Sequence, residues 1–174
     1  MVKILALDTE SSELLSNKTK EFCKIVQLSW ITYDTITFKQ EENDFVLNIH
    51  QEITNSHIHR ITTEMSEKGY EFSDIYQMFM DDMRECDFLL AHNIQYDLNM
   101  LEVELYKLEQ FDAIDELYAK RYKDTMLMGA KQNKGKYPTL IGLHEKLFIQ
   151  PFEGAHNSLE DVRATLACYL QMTG

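Results

Sequence analysis

The stretch Ile4-Leu5-Ala6-Leu7-Asp8-Thr9-Glu10 decides how the chain is read. A short apolar run, long enough for one buried strand, ends abruptly in two carboxylates separated by one residue. Side chains alternate across a strand, so Asp8 and Glu10 share a side and Thr9 points away. Two like charges at the end of a buried strand repel each other and lose hydration. A bound divalent cation removes both costs. With 12 Asp and 17 Glu in 174 residues, about one Asp-x-Glu is expected by chance. The pair therefore gains meaning only if distant acids complete the same site.

The bulk numbers set the frame. A chain of 174 residues is long enough for one domain, 1–174, with a full core. Its 44% hydrophobic and 11% aromatic content is ordinary for a globular protein. Cys23, Cys86 and Cys168 are far apart and form no Cys-x-x-Cys pair. They are expected to be buried thiols in a reducing compartment, which argues against a Zn site or a disulfide frame. No apolar run approaches the ~18 residues of a membrane span, and Met1–Leu7 is too short for a signal-peptide core. The expectation is a cytoplasmic protein with no membrane partner.

A formal charge of −12 argues against holding nucleic acid by bulk electrostatics, though not against gripping a strand end locally through metal ions. One segment departs from the trend. Between Lys120 and Lys136, six bases (Lys120, Arg121, Lys123, Lys131, Lys134, Lys136) face the single acid Asp124, a local balance of +5. That segment reads either as a solvated loop or as a rim along which a phosphate backbone lies.

Along the chain, Ser11–Lys20 is turn-like, and Cys23–Tyr33, rich in β-branched and aromatic residues, is a strand. Thr35–Lys39 and Asp44–Ile49 read as two more extended pieces around a Glu41-Glu42-Asn43 turn. The period changes near Thr62. Phe72, Ile75, Tyr76, Phe79 and Met83 then fall on one helical face, as core packing. Asp87–His92 is a short strand, followed by a helix from Tyr96 to about Gln110 buried through Leu98, Leu101, Leu105 and Leu108. Asp112–Tyr118 leads into the basic stretch. Thr139–Phe148 and Ser158–Met172 are helices, punctuated by Pro138 and a loop containing Gly154. Antiparallel strands first, then alternating helix and strand, predict an α/β fold with a central mixed sheet flanked by helices.

Strand-to-helix junctions are where such folds place their sites. Asp97 falls in the first helical turn after one, where an acid also suits the helix dipole. Asn157 or Ser158 caps the last helix, and Glu160 or Asp161 could close a capping box. Asp161, Ala164, Thr165 and Cys168 share a helical face that is small apart from the carboxylate. Close approach of that face presses Asp161 against the sheet, where a charge needs a cation or a donor. His156, in the Gly154 loop, is the better proton acceptor of two His-x4-Asp pairs. His92, at a strand end, reads as a satisfied core histidine.

Asp8, Glu10, Asp97 and Asp161 in this order, with His156 before the last, resemble the DEDDh 3′→5′ exonucleases. That group contains proofreading subunits of bacterial replicative polymerases and the oligoribonucleases. Ala91–Asp97 looks like its second motif and Ala155–Asp161 its third. Ile58–Thr62, Asp124–Met126 and Lys136–Leu140 are also similar to stretches of members. The resemblance implies a ribonuclease H-like fold and metal-dependent release of nucleoside monophosphates from a 3′ end of single-stranded nucleic acid. It implies two Mg²⁺ or Mn²⁺, held by Asp8, Glu10, Asp97 and Asp161, with His156 as general base. It also implies substrate contacts from Thr9, Leu14, His59 and Asn93, and a polymerase or replication complex as a partner. The alternatives within reach are an RNA-trimming enzyme and an idle nuclease fold acting as a binding subunit. The short tail after the last helix favours a stand-alone enzyme. Three departures from the family pattern stand out: Ser11-Ser12-Glu13 for a Thr-Thr-Gly-like run, Arg60 for a Gly, and Tyr96 for a Phe.

Overall fold

A computed structural model describes residues 2–16, 18, 19, 21–152 and 156–174. Lys3–Ser11 is strand β1, Ile25–Asp34 is β2 and Gln40–Val46 is β3. Phe88–Ala91 is β4 and Tyr122–Asp124 is β5. They form one five-stranded sheet in the order β3-β2-β1-β4-β5. β1, β2 and β3 are antiparallel, with Ala6 opposite Ile31 and Leu28 opposite Phe45. β4 lies parallel to β1, and β5 parallel to β4. This is the mixed sheet expected, with its three antiparallel strands first in the chain.

Two assignments from the sequence are corrected. Thr35–Lys39 is a turn, closed by the Asp34 carboxylate accepting from Ile36 N–H (2.8 Å) and Thr37 N–H (3.1 Å). Its β-branched residues had suggested a strand. Glu41-Glu42-Asn43, read as a turn, lies inside β3, because charges are tolerated on an edge strand that faces water. β5 and the helix after it were not separated from the basic stretch.

The helices are α1 (Ser56–His59), α2 (Thr63–Glu67), α3 (Phe72–Glu85), α4 (Ile94–Lys107), α5 (Phe111–Ala119), α6 (Thr125–Gln132), α7 (Leu140–Phe148) and α8 (Ser158–Thr173). Phe72, Ile75, Phe79 and Met83 of α3 are buried as the helical period required, and so are Leu98, Leu101 and Leu105 of α4. The alternation along β1 divides the core in two. Leu5 and Leu7 join the larger cluster, with Trp30 of β2, Phe79 of α3 and Leu101 of α4. Ile4 and Ala6 join the smaller one on the other face, with Ile31, Leu90, and Val162, Leu166 and Tyr169 of α8. Ala164, Thr165 and Cys168 are buried, so the small-residue face of α8 does approach the sheet closely. All three cysteines are free and buried. No helix among the described residues is long and apolar enough to cross a membrane. The Gly154 loop lies outside the described residues, as do Ala155, Asn17 and Lys20.

Candidate active site

The pleat of β1 carries both core rows past the end of the apolar run and into polar residues. Asp8 and Glu10 continue the Ile4–Ala6 row and so face α8, whose first turn carries Asp161. One carboxylate oxygen from each of Asp8, Glu10 and Asp161 lies within 4.8 Å of the others. Thr9 continues the Leu5–Leu7 row and faces α4. There Asp97 Oδ1 accepts from Thr9 N–H (2.9 Å) and from Thr9 Oγ1–H (2.8 Å). That N–H is available because β4 pairs with β1 only as far as Ala6, leaving the end of β1 without a ladder partner on that side.

Two polar clusters fix the helices that bring these acids in. The start of α8 is pinned to β2: Ser158 N–H donates to Gln27 Oε1 (3.3 Å), and the Ser158 and Ser29 hydroxyls bond each other. Ser29 pairs directly with Asp8 across the ladder, so this clasp sets Asp161 beside the end of β1. Asn157 is the N-cap, accepting from Glu160 N–H (3.3 Å). Glu160 bonds Arg163 and Asp161 accepts from the His156 N–H (3.2 Å), so neither closes the capping box considered from the sequence. On the other side, buried Asp124 accepts from Asn93 N–H (3.1 Å) and Ile94 N–H (3.2 Å) at the head of α4. The same carboxylate caps α6 through Met126 N–H (2.8 Å) and Leu127 N–H (3.4 Å). Asn93 turns the chain from β4 into α4 at φ 69°, a left-handed position that Asn tolerates better than most residues.

The acids sit where charge is unfavourable. Burial, then the charges of Asp97, Asp161 and Glu10, hold Asp8 well above the usual carboxylate range. Glu10 is pushed up to about 7 by burial and by Asp161 and Asp97. Asp161 is pushed up to about 6 by burial, against the pull of the His156 N–H. Asp97 is also raised by burial, although its two bonds from Thr9 oppose the shift. The buried Oδ1 of Asp161 has no hydrogen-bond partner among the described residues. An orphaned carboxylate oxygen beside two more carboxylates is an all-oxygen, hard-donor set, the kind that suits a divalent cation such as Mg²⁺ or Mn²⁺. The site residues therefore fit such an ion.

Asp8, Glu10, His156 and Asp161 line one open cleft of about 550 Å³, together with Thr9, Asn93, Tyr137 and Thr139. His156 is exposed and stands at φ 68° in front of α8. His92 lines the same cleft but is committed. Its Nε2–H donates to the Pro138 carbonyl (3.0 Å), and Nδ1 bonds Thr125 Oγ1 (2.9 Å). It is the satisfied histidine expected.

Leu14 is 79% exposed in the loop after β1, and His59 is buried; neither lines the cleft. His59 Nδ1 accepts from Ile61 N–H, and Nε2 bonds Asn55 Oδ1 (3.1 Å), while Asn55 Nδ2–H donates to the Ser11 carbonyl (2.9 Å). His59 thus braces the loop that follows the carboxylate strand. The sequence reading had Ser158 only as an alternative N-cap and Asp124 only within a stretch similar to family members, and it gave Gln27 no role. Asp124 was visible as the lone acid of a basic stretch, just ahead of α6; the Ser158–Gln27 clasp had no local signal.

The exonuclease family model (RNase T) matches residues 5–169. A DNA polymerase III subunit epsilon from Haemophilus influenzae is 30% identical over 118 residues, which is 67% of this chain. The chain spans 45% of the length of that relative. Among solved structures, the nuclease domain of 3′hExo, a DEDDh family member bound to rAMP, matches at a TM-score of 0.71 and 16% identity. That match covers 98% of this chain and 90% of the other. A 3′-exonuclease described with a histone mRNA stem-loop matches at 0.72 and 16% identity, over 99% of this chain and 64% of the other. At that identity the structural matches establish the ribonuclease H-like fold. The family match runs from the core of β1 to the last turns of α8, through every element that carries one of the acids: the chain belongs to the exonuclease (RNase T) family.

Proposed function

We propose that the chain is a divalent-metal-dependent 3′→5′ exonuclease that hydrolyses the 3′-terminal phosphodiester of a DNA strand and releases nucleoside monophosphates. The observation that carries the reading is the convergence of Asp8, Glu10 and Asp161 within 4.8 Å, with a buried Asp161 oxygen left without a donor among the described residues. An idle binding fold has no physical need for such a cluster, since three carboxylates packed together oppose folding unless something compensates them.

In this reading Asp8, Glu10 and Asp161, with Asp97 beside them, would hold the two Mg²⁺ or Mn²⁺ ions. Ions so placed supply an acidified water and neutralise the charge that develops on the phosphate oxygens. Thr9 orients Asp97. His156, on the exposed side of the cleft, takes the proton of the attacking water as general base. Asp161, accepting from the His156 N–H, holds that residue beside the carboxylates. The same five residues serve RNA trimming, and likeness to an exonuclease described with an mRNA stem-loop keeps that second reading open. Likeness to a polymerase III subunit makes a polymerase the partner class to test.

The test uses a 5′-labelled single-stranded DNA and its RNA counterpart with Mg²⁺ or Mn²⁺. Wild type is expected to give a ladder shortening from the 3′ end, abolished by EDTA and by Asp8→Ala. His156→Ala is expected to lose about 10²–10⁴-fold in rate. Intact strands after incubation of folded wild type with metal would overturn the proposal.

A further inference from the structure

The basic stretch divides in space. Lys120 Nζ reaches the Arg84 carbonyl (3.4 Å) and Arg121 the Asp87 carbonyl (3.5 Å), both before β4 and so at the edge of the sheet opposite the carboxylates. Lys123 is occupied as well, donating to Tyr169 Oη (2.7 Å) and lying over the Phe88 and Tyr169 rings. The other three lie on the cleft side. Lys131 in the last turn of α6, with Lys134 and Lys136 in the loop after it, are all exposed. Among the described residues none of them is ion-paired, whereas Lys3, Lys39, Lys68, Arg84 and Arg163 each hold a carboxylate.

This loop leads directly into the cleft. Tyr137, Pro138, Thr139 and Leu140 line it, and the Pro138 carbonyl is tied down by His92. Gly135 N–H bonds the Ala130 carbonyl (2.9 Å) and Asn133 Nδ2 bonds the Lys136 carbonyl (3.2 Å), so the lysines stand on a closed, ordered turn. Tyr137 follows them at 66% exposure, an aromatic face at the mouth of the cleft. The charge contrast is large. Residues 125–152 carry four lysines against Glu145 alone, a balance of +3 in a chain of −12, which leaves −15 on the rest. For a polyanion approaching the carboxylates, this segment is a local positive balance in a chain of opposite sign.

We infer that Lys131, Lys134 and Lys136 form the track for the sugar-phosphate backbone of a single strand upstream of its 3′ end, with Tyr137 stacking on a base where the strand enters the cleft. The inference rests on the exonuclease reading and adds where the body of the substrate lies. It makes strand length a determinant of affinity. A dinucleotide fills the cleft and leaves the track empty, whereas a ten-nucleotide strand occupies both.

The test compares wild type with Lys131→Ala/Lys134→Ala/Lys136→Ala on a dinucleotide and on ten-nucleotide DNA and RNA strands, at several salt concentrations. Wild type is expected to show a KM about tenfold or more lower for the longer strand. In the triple variant that advantage collapses, and the slope of log KM against log salt becomes shallower by about 2, as loss of three phosphate contacts on a single strand requires. Lys120→Ala/Arg121→Ala, on the far edge, keeps the wild-type slope. A triple variant with the wild-type length advantage and salt slope overturns the track. Wild type that cleaves neither substrate overturns the exonuclease reading instead, and the two failures are distinct.

Discussion

Thr9 holds Asp97 twice through one oxygen, and valine at this position keeps the side-chain shape while removing the hydroxyl donor. Thr9→Val is expected to cost about 1–3 kcal/mol in urea unfolding, because it leaves a buried carboxylate short of a partner. It is also expected to slow turnover, as Asp97 loses its orientation. The positions of Asp8, Glu10 and Asp161 were readable from strand alternation and from the small-residue face of α8. The Thr9–Asp97 contact was not, because the freedom of a backbone N–H depends on where the neighbouring strand stops. The departures from the family pattern also resolve at this scale. Tyr96 Oη bonds Ser11 Oγ (2.7 Å), which in turn donates to the Glu13 carbonyl (2.8 Å), so two of the departures answer each other. Arg60 caps α1 at φ 65°, a left-handed position that costs a residue with a Cβ about 1–2 kcal/mol. Arg60→Gly is therefore expected to raise stability by roughly 1 kcal/mol in the same measurement.

At the level of elements, Asp124 joins β5, α4 and α6, each of which would otherwise end in unsatisfied backbone donors. Asp124→Ala removes caps from two helices at once. A loss of about 1–4 kcal/mol is expected at roughly 0.5–2 kcal/mol per cap, with a fall in activity as the head of α4 and its Asp97 shift. Thermal or urea unfolding, compared with an exposed control such as Asp112→Ala, checks it. The long elements were legible because their apolar period repeats: α3, α4 and α8 each bury the stripe that spacing gave them. β5 was not, since three residues are too few for a period to show, and two of them are exposed. β3 misled for a different reason. An edge strand meets water on one side, so its acids imitate a turn, while Glu42 in fact pairs with Arg163 of α8.

For the molecule as a whole, the site is a reservoir of instability that metal relieves. Glu10 titrates near 4.5 when unfolded and about 7 when folded, and Asp161 near 3.8 against about 6. Both shifts are upward, so the folded state binds protons more tightly. In EDTA, the contribution of these two carboxyls to stability is therefore complete below about pH 4, and it is lost as pH rises through 6 and 7. Added Mg²⁺ or Mn²⁺ is expected to reverse the decline near pH 7.5, by about 2.7 kcal/mol at a hundredfold excess over its dissociation constant. Near pH 4, where the carboxylates are protonated, the same addition has little effect. Melting temperatures across pH with EDTA or metal check both halves, and a metal-free protein whose stability rises from pH 5 to 8 would contradict them. Charge at this scale was legible as a sum from the start. Its division into a track beside the cleft and three structural bases on the other side required the strand order.

The alternation of β1 has a consequence for inheritance. Odd and even positions serve different helices, so the two halves of the site are stored as a reading frame. Deleting one residue between Ala6 and Asp8 would exchange the frames, turning Asp8 toward α4 and Thr9 toward α8, and would dismantle both halves although every functional residue remained in the chain. Substitutions can tune such a strand, but insertions and deletions must fall in pairs or outside it, so single-residue length variation in this lineage should be missing from within β1.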